Sequence, residues 1–524
     1  MAPQQNSVRI GATMATLIPT AHVRHSFIAA CAALLIFSGG ASGEDKPFRL
    51  PTLTARDTGL YGRFAWGSPD AEINPQSYLA HTKNMSFCIR CVWIRSEEAL
   101  NKLNLESVCK DVENGLTHNP QKTTLIRIDF WGPENGKERF TGQMQDVQVY
   151  IRRLDAALKQ LESVLDRVQG VSISEENIPS AGRPAVLKQL YEHCKAKYPH
   201  VRFYQWWTPN TAIPDWYEGV FLPADGWIID TYTLCKQNYP DARYHMGADP
   251  YRRLVQKYMV TGKPLISILW ASDEQPHFFD PSDPKNTTKV NMWETIDHQF
   301  QVNVDYNIPS GFYWEISRRT QPAGPQDEAL ATKINQNVIR LIDRARELPE
   351  EQSADADRAD NWTNVTPLAM PSVARDLVFT EDFKRSKFLD ECSGTGFRDL
   401  IWSPHDLRIR GFAGRKAKVQ MIYRFRNKEP LEWPAATIEG EVDPAGNGVV
   451  RVALSADQGR TWPAVADNSK PATYGLVTVT SRGSPRFRRI PEVWVKIEIE
   501  GDSGTAERPI ASLSGVSVRS TVGR

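Results

Sequence analysis

Val171-Ser172-Ile173-Ser174-Glu175-Glu176-Asn177 is a stretch whose two faces can be told apart from the residues alone. Side chains of a strand alternate, so Val171 and Ile173 share one face, and Ser172, Ser174 and Glu176 share the other. The apolar face predicts a layer of helices packed against it. The other face, small and polar and closed by a glutamate, predicts a confined interior that opens at its carboxyl end. Immediately upstream, Val147, Ile151, Leu154, Leu158, Leu161, Leu165 and Val168 recur at three- and four-residue spacing, the period of an amphipathic helix. A helix feeding a strand is half of a repeating unit, and the same alternation extends in both directions.

Working outward, candidate strands are Gly62–Trp66, Ser86–Ile94, Thr123–Trp131, Val171–Asn177, Arg202–Thr208, Gly226–Thr233, Pro264–Ser272 and Gly311–Ile316. Helical periodicity fills most of the gaps: Leu105–Leu116, Arg183–Lys197, Tyr251–Val260, Met292–Val304 and Glu328–Arg346. The gap after Thr208 carries Pro209, Pro214 and Pro223 and reads as a loop-like crossover. Strands alternating with helices pair in parallel, and eight such units fit a closed barrel better than an open sheet. No glycine-rich phosphate loop follows any strand, which disfavours a dinucleotide fold. The expected class is α/β, a (β/α)8 TIM barrel over residues 44–348.

Residues 1–43 read as an export signal. Arg9, Arg24 and His25 precede an apolar run from Phe27 to Phe37, followed by the small residues Ser38 to Gly43. The run is too short to span a bilayer, so the expectation is a secreted or periplasmic protein with no membrane partner after cleavage. Residues 349–375, acidic and then proline-punctuated, read as a linker. Beyond it, residues 376–524 show short alternating runs (Val419–Phe425, Val449–Leu454, Leu476–Thr480, Val493–Ile499, Leu513–Val518) and no strong helix, the pattern of a smaller all-β sandwich. The chain is 41% hydrophobic and 24% charged, with a net charge of +1, which gives no reason to expect a nucleic-acid partner.

In a parallel barrel the chemistry gathers where strands end. Beside Glu176, that rule selects Arg127 and Asp129, followed by Trp131; Gln205 with Trp207; Asp230, followed by Tyr232; Trp270, followed by Asp273 and Glu274; and Tyr313-Trp314-Glu315. Carboxylates in a concave aromatic site have a clear use. One, kept protonated, donates to a glycosidic oxygen; another, ionised, attacks the anomeric carbon or activates water. Tryptophan faces suit the apolar faces of sugar rings. The layout over roughly residues 55–348 resembles the large glycoside hydrolase barrel superfamily. In that family the acid/base glutamate commonly closes the fourth strand, which falls on Glu176, and an aromatic commonly closes the eighth, which falls on Trp314. The second carboxylate commonly stands on the seventh strand. That strand ends Ala271-Ser272-Asp273-Glu274 here, so Asp273, Glu274, Asp230 and Glu315 all remain open for the role.

The resemblance implies a carbohydrate partner and no cofactor. Two other readings stay open: a non-catalytic carbohydrate-binding protein on the same scaffold, and a metal-dependent hydrolase. The barrel's histidines (His81, His118, His193, His200, His245, His277 and His298) lack metal-ligand spacing, so no metal site is expected. Cys88 and Cys91 form a lone C-x-x-C, expected to be buried thiols or part of a stabilising bridge. In the sandwich, Ser455-Ala456-Asp457-Gln458-Gly459-Arg460-Thr461-Trp462 resembles the Asp-box. The expected physics is a hairpin turn in which Ser455 and Asp457 bind turn amides and Gly459 takes an unusual backbone angle. Arg408, Arg410, Arg415, Lys416, Lys418, Arg424 and Arg426 crowd one stretch, and Arg482, Arg486, Arg488 and Arg489 another. Their alignment on one face would favour an anionic or sulfated polysaccharide.

Overall fold

A computed structural model describes residues 52–61, 85–94, 104–114, 123–130, 147–174, 183–207, 223–230, 248–270, 278–279, 289–290, 292–313, 325–349, 360–364, 366–373, 376–383, 388–403, 406–410, 416–443, 447–469, 475–502 and 509–523. Eight parallel strands close a barrel: β1 (Thr58–Tyr61), β2 (Phe87–Ile94), β3 (Thr123–Phe130), β4 (Gly170–Ser174), β5 (Phe203–Trp207), β6 (Gly226–Asp230), β7 (Leu265–Trp270) and β8 (Ser310–Tyr313), with β8 returning to β1. Helices α1 (Glu106–Asn114), α2 (Val147–Gln160), α3 (Arg183–Lys197), α4 (Ala248–Met259), α5 (Met292–Asp305) and α6 (Pro325–Arg346) fill the connections among the described residues. The first strand lies ahead of its expected place, in the patternless Thr58-Gly59-Leu60-Tyr61; the expected Gly62–Trp66 lies outside the described residues.

The wall of the barrel separates two apolar layers. Val171 and Ile173 of β4 join Ile126, Ile128, Phe203, Trp227 and Ile229 against the helices. Inside, Phe87, Ile89, Leu125, Tyr204, Trp206, Ile228, Ile266 and Ile268 fill the lumen. Glycines make room for this filling. A Cβ on Gly170 or Gly226 would stand 2.4 or 2.3 Å from the Tyr204 ring, so the two flank it with bare backbone.

The second domain is an antiparallel sandwich built on β9 (Asp376–Glu381), β10 (Cys392–Thr395), β11 (Leu400–Ser403), β12 (Asp406–Ile409), β13 (Ala417–Val442), β14 (Val449–Ser455), β15 (Ala464–Asp467), β16 (Val477–Thr480), β17 (Ile490–Gly501) and β18 (Ala511–Val522). The first half of β13 pairs with β17. After an irregularity between Arg426 and Leu431, its second half pairs with β18 and β16. One bent strand thus serves both layers. Residues 361–373, read from sequence as linker, belong to the sheet: Asn361–Trp362 pairs with Gly394 and Thr395, Ser372–Val373 pairs with β9, and Trp362 and Met370 are buried.

Barrel and sandwich are joined by a specific seam. Lys257 of α4 lies 2.7 Å from Asp390, the Arg253 guanidinium donates to the Leu389 carbonyl at 3.1 Å, and Gln256 donates to the Asn361 carbonyl at 2.8 Å. The amide of Trp402 donates to the Val260 carbonyl at 2.6 Å, and the rings of Tyr306 and Phe397 meet edge to face at 6.1 Å. No helix among the described residues is long and apolar enough to cross a membrane.

Candidate active site

The barrel interior carries charge at the carboxyl half of β3. Arg127 and Asp129 are 2% exposed each, and the guanidinium Nε donates to Asp129 with N–O distances of 3.0 and 3.2 Å. The Arg127 guanidinium carbon lies 4.2 Å from the centre of the Trp206 ring, so the cation is held by a carboxylate on one side and an aromatic face on another. Alternation makes this arrangement: Ile126 and Ile128 take the helix side, which leaves Arg127 and Asp129 to the lumen. The interleaved isoleucines are the signal by which sequence alone finds the pair.

Strand pairing extends the same row. Arg127 stands in register with Cys91 of β2 and Ser172 of β4, and Ser172 with Tyr204 of β5. Ser172 is 1% exposed and its hydroxyl has no hydrogen-bond partner among the described residues. Cys91 is partly exposed although it packs against the lumen filling, so space reaches this level of the barrel. Cys88, three residues earlier, is buried in contact with the Thr124 hydroxyl at 3.7 Å. The C-x-x-C pair therefore straddles the wall on opposite faces, and among the described residues no disulfide joins Cys88, Cys91, Cys109, Cys194 or Cys392. Of the two expectations, thiols or a bridge, these five are thiols.

One expected site residue stands on the wrong side. Gln205 shares the face of Phe203, which packs among the helices, and its amide donates to the Pro223 carbonyl at 3.4 Å. Its neighbour Trp206, not singled out from sequence, takes the lumen position. In Phe203-Tyr204-Gln205-Trp206-Trp207 both faces are bulky, and alternation gives no phase. Register from β4 supplies it, and that is invisible in sequence.

Asp230, Trp270 and Tyr313 are last residues of their strands, with Asp230 in register with Ile268 and Tyr313 with Trp270. Glu176, with Glu175 and Asn177, lies outside the described residues, as do Trp131, Tyr232, Asp273, Glu274, Trp314 and Glu315. The same holds for the export-signal region 1–43, Cys235, Arg415, His81, His118, His245 and His277, and the side chains of Trp207, Asp230, Trp270 and Tyr313. Among the described residues no group of His, Cys, Asp and Glu is placed to hold a metal. His193 instead bonds Asp155 at 2.9 Å between α2 and α3. A polar groove of about 670 Å³ lined by Thr54, Arg56, Asp57, Ser86, Asp343, Arg346 and Glu347 lies at the amino ends of β1 and β2. That is the face opposite the one where barrel chemistry sits, so it is not the candidate site.

The residues Ser455 to Trp462, read from sequence as a structural turn, lie between β14 and β15. The Ser455 hydroxyl accepts from the Gly459 amide at 2.9 Å, and Asp457 accepts from the Thr461 amide at 2.9 Å and hydroxyl at 2.6 Å. Gly459 has φ 79°. Bonds from the Thr461 hydroxyl and amide hold the Asp457 carboxyl down at about 2.

No family description matches the chain, and no curated protein does. Among solved structures it is similar to a GH5_18 protein from Bifidobacterium longum subsp. infantis (10% identity, TM-score 0.38, 57% of this chain and 80% of that one). It is also similar to a glucosidase from Croceicoccus marinus (11%, TM-score 0.33, 86% and 97%) and a family 39 glycoside hydrolase from Bacteroides cellulosilyticus (12%, TM-score 0.36, 85% and 82%). These neighbours are glycoside hydrolases by name; superposition this loose carries no argument about chemistry, and the fold stands on the strand pairing.

Proposed function

We propose that the chain is an exported glycoside hydrolase acting on a polysaccharide or oligosaccharide, with Glu176 as the proton donor. The observation that carries this reading is the phase of β4. Val171 and Ile173 pack on the helix side and Ser172 on the lumen side, and alternation from Ser172 leads through Ser174 to Glu176. The buried Arg127–Asp129 pair beneath Trp206 supports it, because it gives that end of the lumen a fixed polar floor with an aromatic wall.

In the proposed reaction Glu176 gives its proton to the glycosidic oxygen as the C–O bond breaks, and the leaving sugar departs as an alcohol. A second carboxylate, from among Asp273, Glu274, Asp230 and Glu315, stabilises the anomeric centre. It does so by forming a glycosyl ester, which water then hydrolyses, or by taking a proton from the attacking water. A carboxyl separation of about 5 Å makes the first course, with retention, and about 6.5–9.5 Å the second, with inversion.

Glu176→Gln is expected to lower hydrolysis of a panel of neutral and acidic polysaccharides by about 10²–10⁴-fold with an unchanged circular dichroism spectrum. Glu175→Gln, on the alternate position, should cost much less. Equal activity of Glu176→Gln and the unaltered protein overturns the assignment. Binding without turnover by the unaltered protein makes the barrel a carbohydrate-binding scaffold. Activity lost to a chelator and restored by zinc makes it a metal-dependent hydrolase.

A further inference from the structure

The two basic stretches of the sandwich differ in what surrounds them. In the first, Arg408 lies 2.9 Å from Asp406, Lys416 3.5 Å from Asp502, Lys418 3.4 Å from Glu500, and the Nε of Arg426 2.9 Å from Glu492. Arg424 lies over the Trp494 ring. Four cations of this stretch thus have a carboxylate within reach, Arg408 within its own strand and Lys416, Lys418 and Arg426 on neighbouring segments. In the second, Arg482, Arg486, Arg488 and Arg489 are all exposed, and none has an acidic partner among the described residues. Glu432 flanks Gly523 opposite Arg489 without pairing with it. In a chain of net charge +1, this is a local excess of cation.

The arginines sit on a braced loop. Buried Ser481 donates through its amide and hydroxyl to the Pro434 carbonyl at 3.0 and 2.8 Å, and buried Phe487 donates its amide to the Ser484 carbonyl at 3.1 Å. Beside the loop lies Trp433, half-buried, with the Arg488 guanidinium 5.7 Å from its ring centre. Trp433 and Arg489 both hold φ 52°, next to the Leu431–Ile490 pair where β13 loses its regular register. A left-handed backbone at a non-glycine residue costs about 1–3 kcal/mol and persists only where surroundings impose it. The protein holds two such residues side by side, one carrying an indole and the other a guanidinium.

We propose that this corner of the sandwich, Trp433 with Arg482, Arg486, Arg488 and Arg489, docks a sulfated or uronic-acid polysaccharide. Guanidinium forks pair with sulfate or carboxylate oxygens in two-pronged contacts, and the indole supplies an apolar face for a sugar ring. A braced loop loses little freedom on binding, so the charge is preorganised. Arginine keeps its charge at all working pH values, so the contact is governed by salt and is insensitive to pH. The choice of a glycan over other polyanions rests on the hydrolase reading; the charge and the geometry do not.

The test uses the full chain, unaltered and as Glu176→Gln, so that binding is measured whether or not the polymer is cut. Heparin and polygalacturonate should bind in 50 mM salt, dextran should not, and binding should fade toward 1 M salt as the screening length shrinks to about 3 Å. Arg486→Gln with Arg488→Gln should weaken heparin binding about tenfold, the loss of one charged hydrogen bond's worth of free energy. Trp433→Phe should retain binding, and Lys416→Gln with Lys418→Gln should leave it unchanged. Heparin binding no tighter than dextran overturns the proposal, as does an equal loss in the Lys416/Lys418 control. A DNA duplex or phosphatidylserine vesicles bound as tightly as heparin would overturn the glycan assignment. No hydrolysis of any polysaccharide by the unaltered protein with heparin binding intact would remove the hydrolase reading and leave the docking surface standing.

Discussion

The barrel and the sandwich each bury a carboxyl group inside, and they solve the same electrostatic problem in opposite ways. In the barrel, Asp129 has the Arg127 guanidinium beside it and both side chains are buried. In the sandwich, Glu381 has another glutamate, Glu391, for a neighbour, and both are 6% exposed. Burial, and then the hydrogen bond with Glu391, push the Glu381 carboxyl up to about 8, although it accepts the Phe383 amide at 2.7 Å. One domain balances a charge and the other keeps a proton. The lesson is that removing a partner acts differently in each: in the barrel it strands a charge, and in the sandwich it removes a repulsion.

The largest expected effect breaks the barrel pair. Arg127→Ala leaves Asp129 buried without its cation and should cost about 3–5 kcal/mol, read as a fall in the urea midpoint. Arg127→Met with Asp129→Leu should recover most of that loss. If the double variant is stable yet inactive, the pair serves the site as well as the fold. A single variant within about 1 kcal/mol of the unaltered protein would mean that the pair is effectively solvated and the contrast with Glu381 false.

The sandwich is probed by pH. A carboxyl ordinarily near 4.5 and raised to about 8 on folding binds more protons in the folded chain between those values. Stability from this group is therefore complete below about 4.5 and is lost as pH climbs through about 8. Glu381→Gln, neutral throughout, should flatten that slope and exceed the unaltered protein at pH 9 by on the order of 2 kcal/mol. Parallel melting curves for the two from pH 5 to 9 would dissolve the comparison. The smallest effect belongs to Asp457, half-buried and bonded within its own turn. Asp457→Ala should lower the melting temperature slightly and leave hydrolysis unchanged, while a loss of glycan binding would give the turn a role beyond structure.

What the sequence made legible follows from where polar and apolar residues alternate. Arg183–Lys197 is a helix at the expected bounds, and the lumen positions of Arg127 and Asp129 follow from the isoleucines between them. Gln205 was misplaced because β5 is bulky on both faces, and β1 because Thr58-Gly59-Leu60-Tyr61 has no pattern to weigh against the aromatic run after it. The strand β13 showed only as Val419–Phe425, since Lys428, Glu429, Pro430 and Pro434 interrupt the alternation where the chain bends. Trp362 reads as linker until Gly394 is seen to clear a place for it; a Cβ there would stand 2.2 Å from the indole. Partners of that kind are set by topology, and a single chain read in order does not carry them.

The strand β18 borders β9, β12 and β13 at once, with Asp376–Glu381 matched to Val516–Thr521. On a ribosome the chain emerges in order, so β9 and β12 each lack one neighbouring strand until residues 511–522 are free. Closing such distant contacts is slow, on the scale of milliseconds to seconds. The barrel's contacts are mostly between successive units, so it can form first and present Gln256, Lys257 and Val260 as a template. The seam residues of the sandwich, Asn361, Leu389, Asp390, Phe397 and Trp402, all precede β13, so the flank of the barrel can be covered before the strand that completes the sheet has been made.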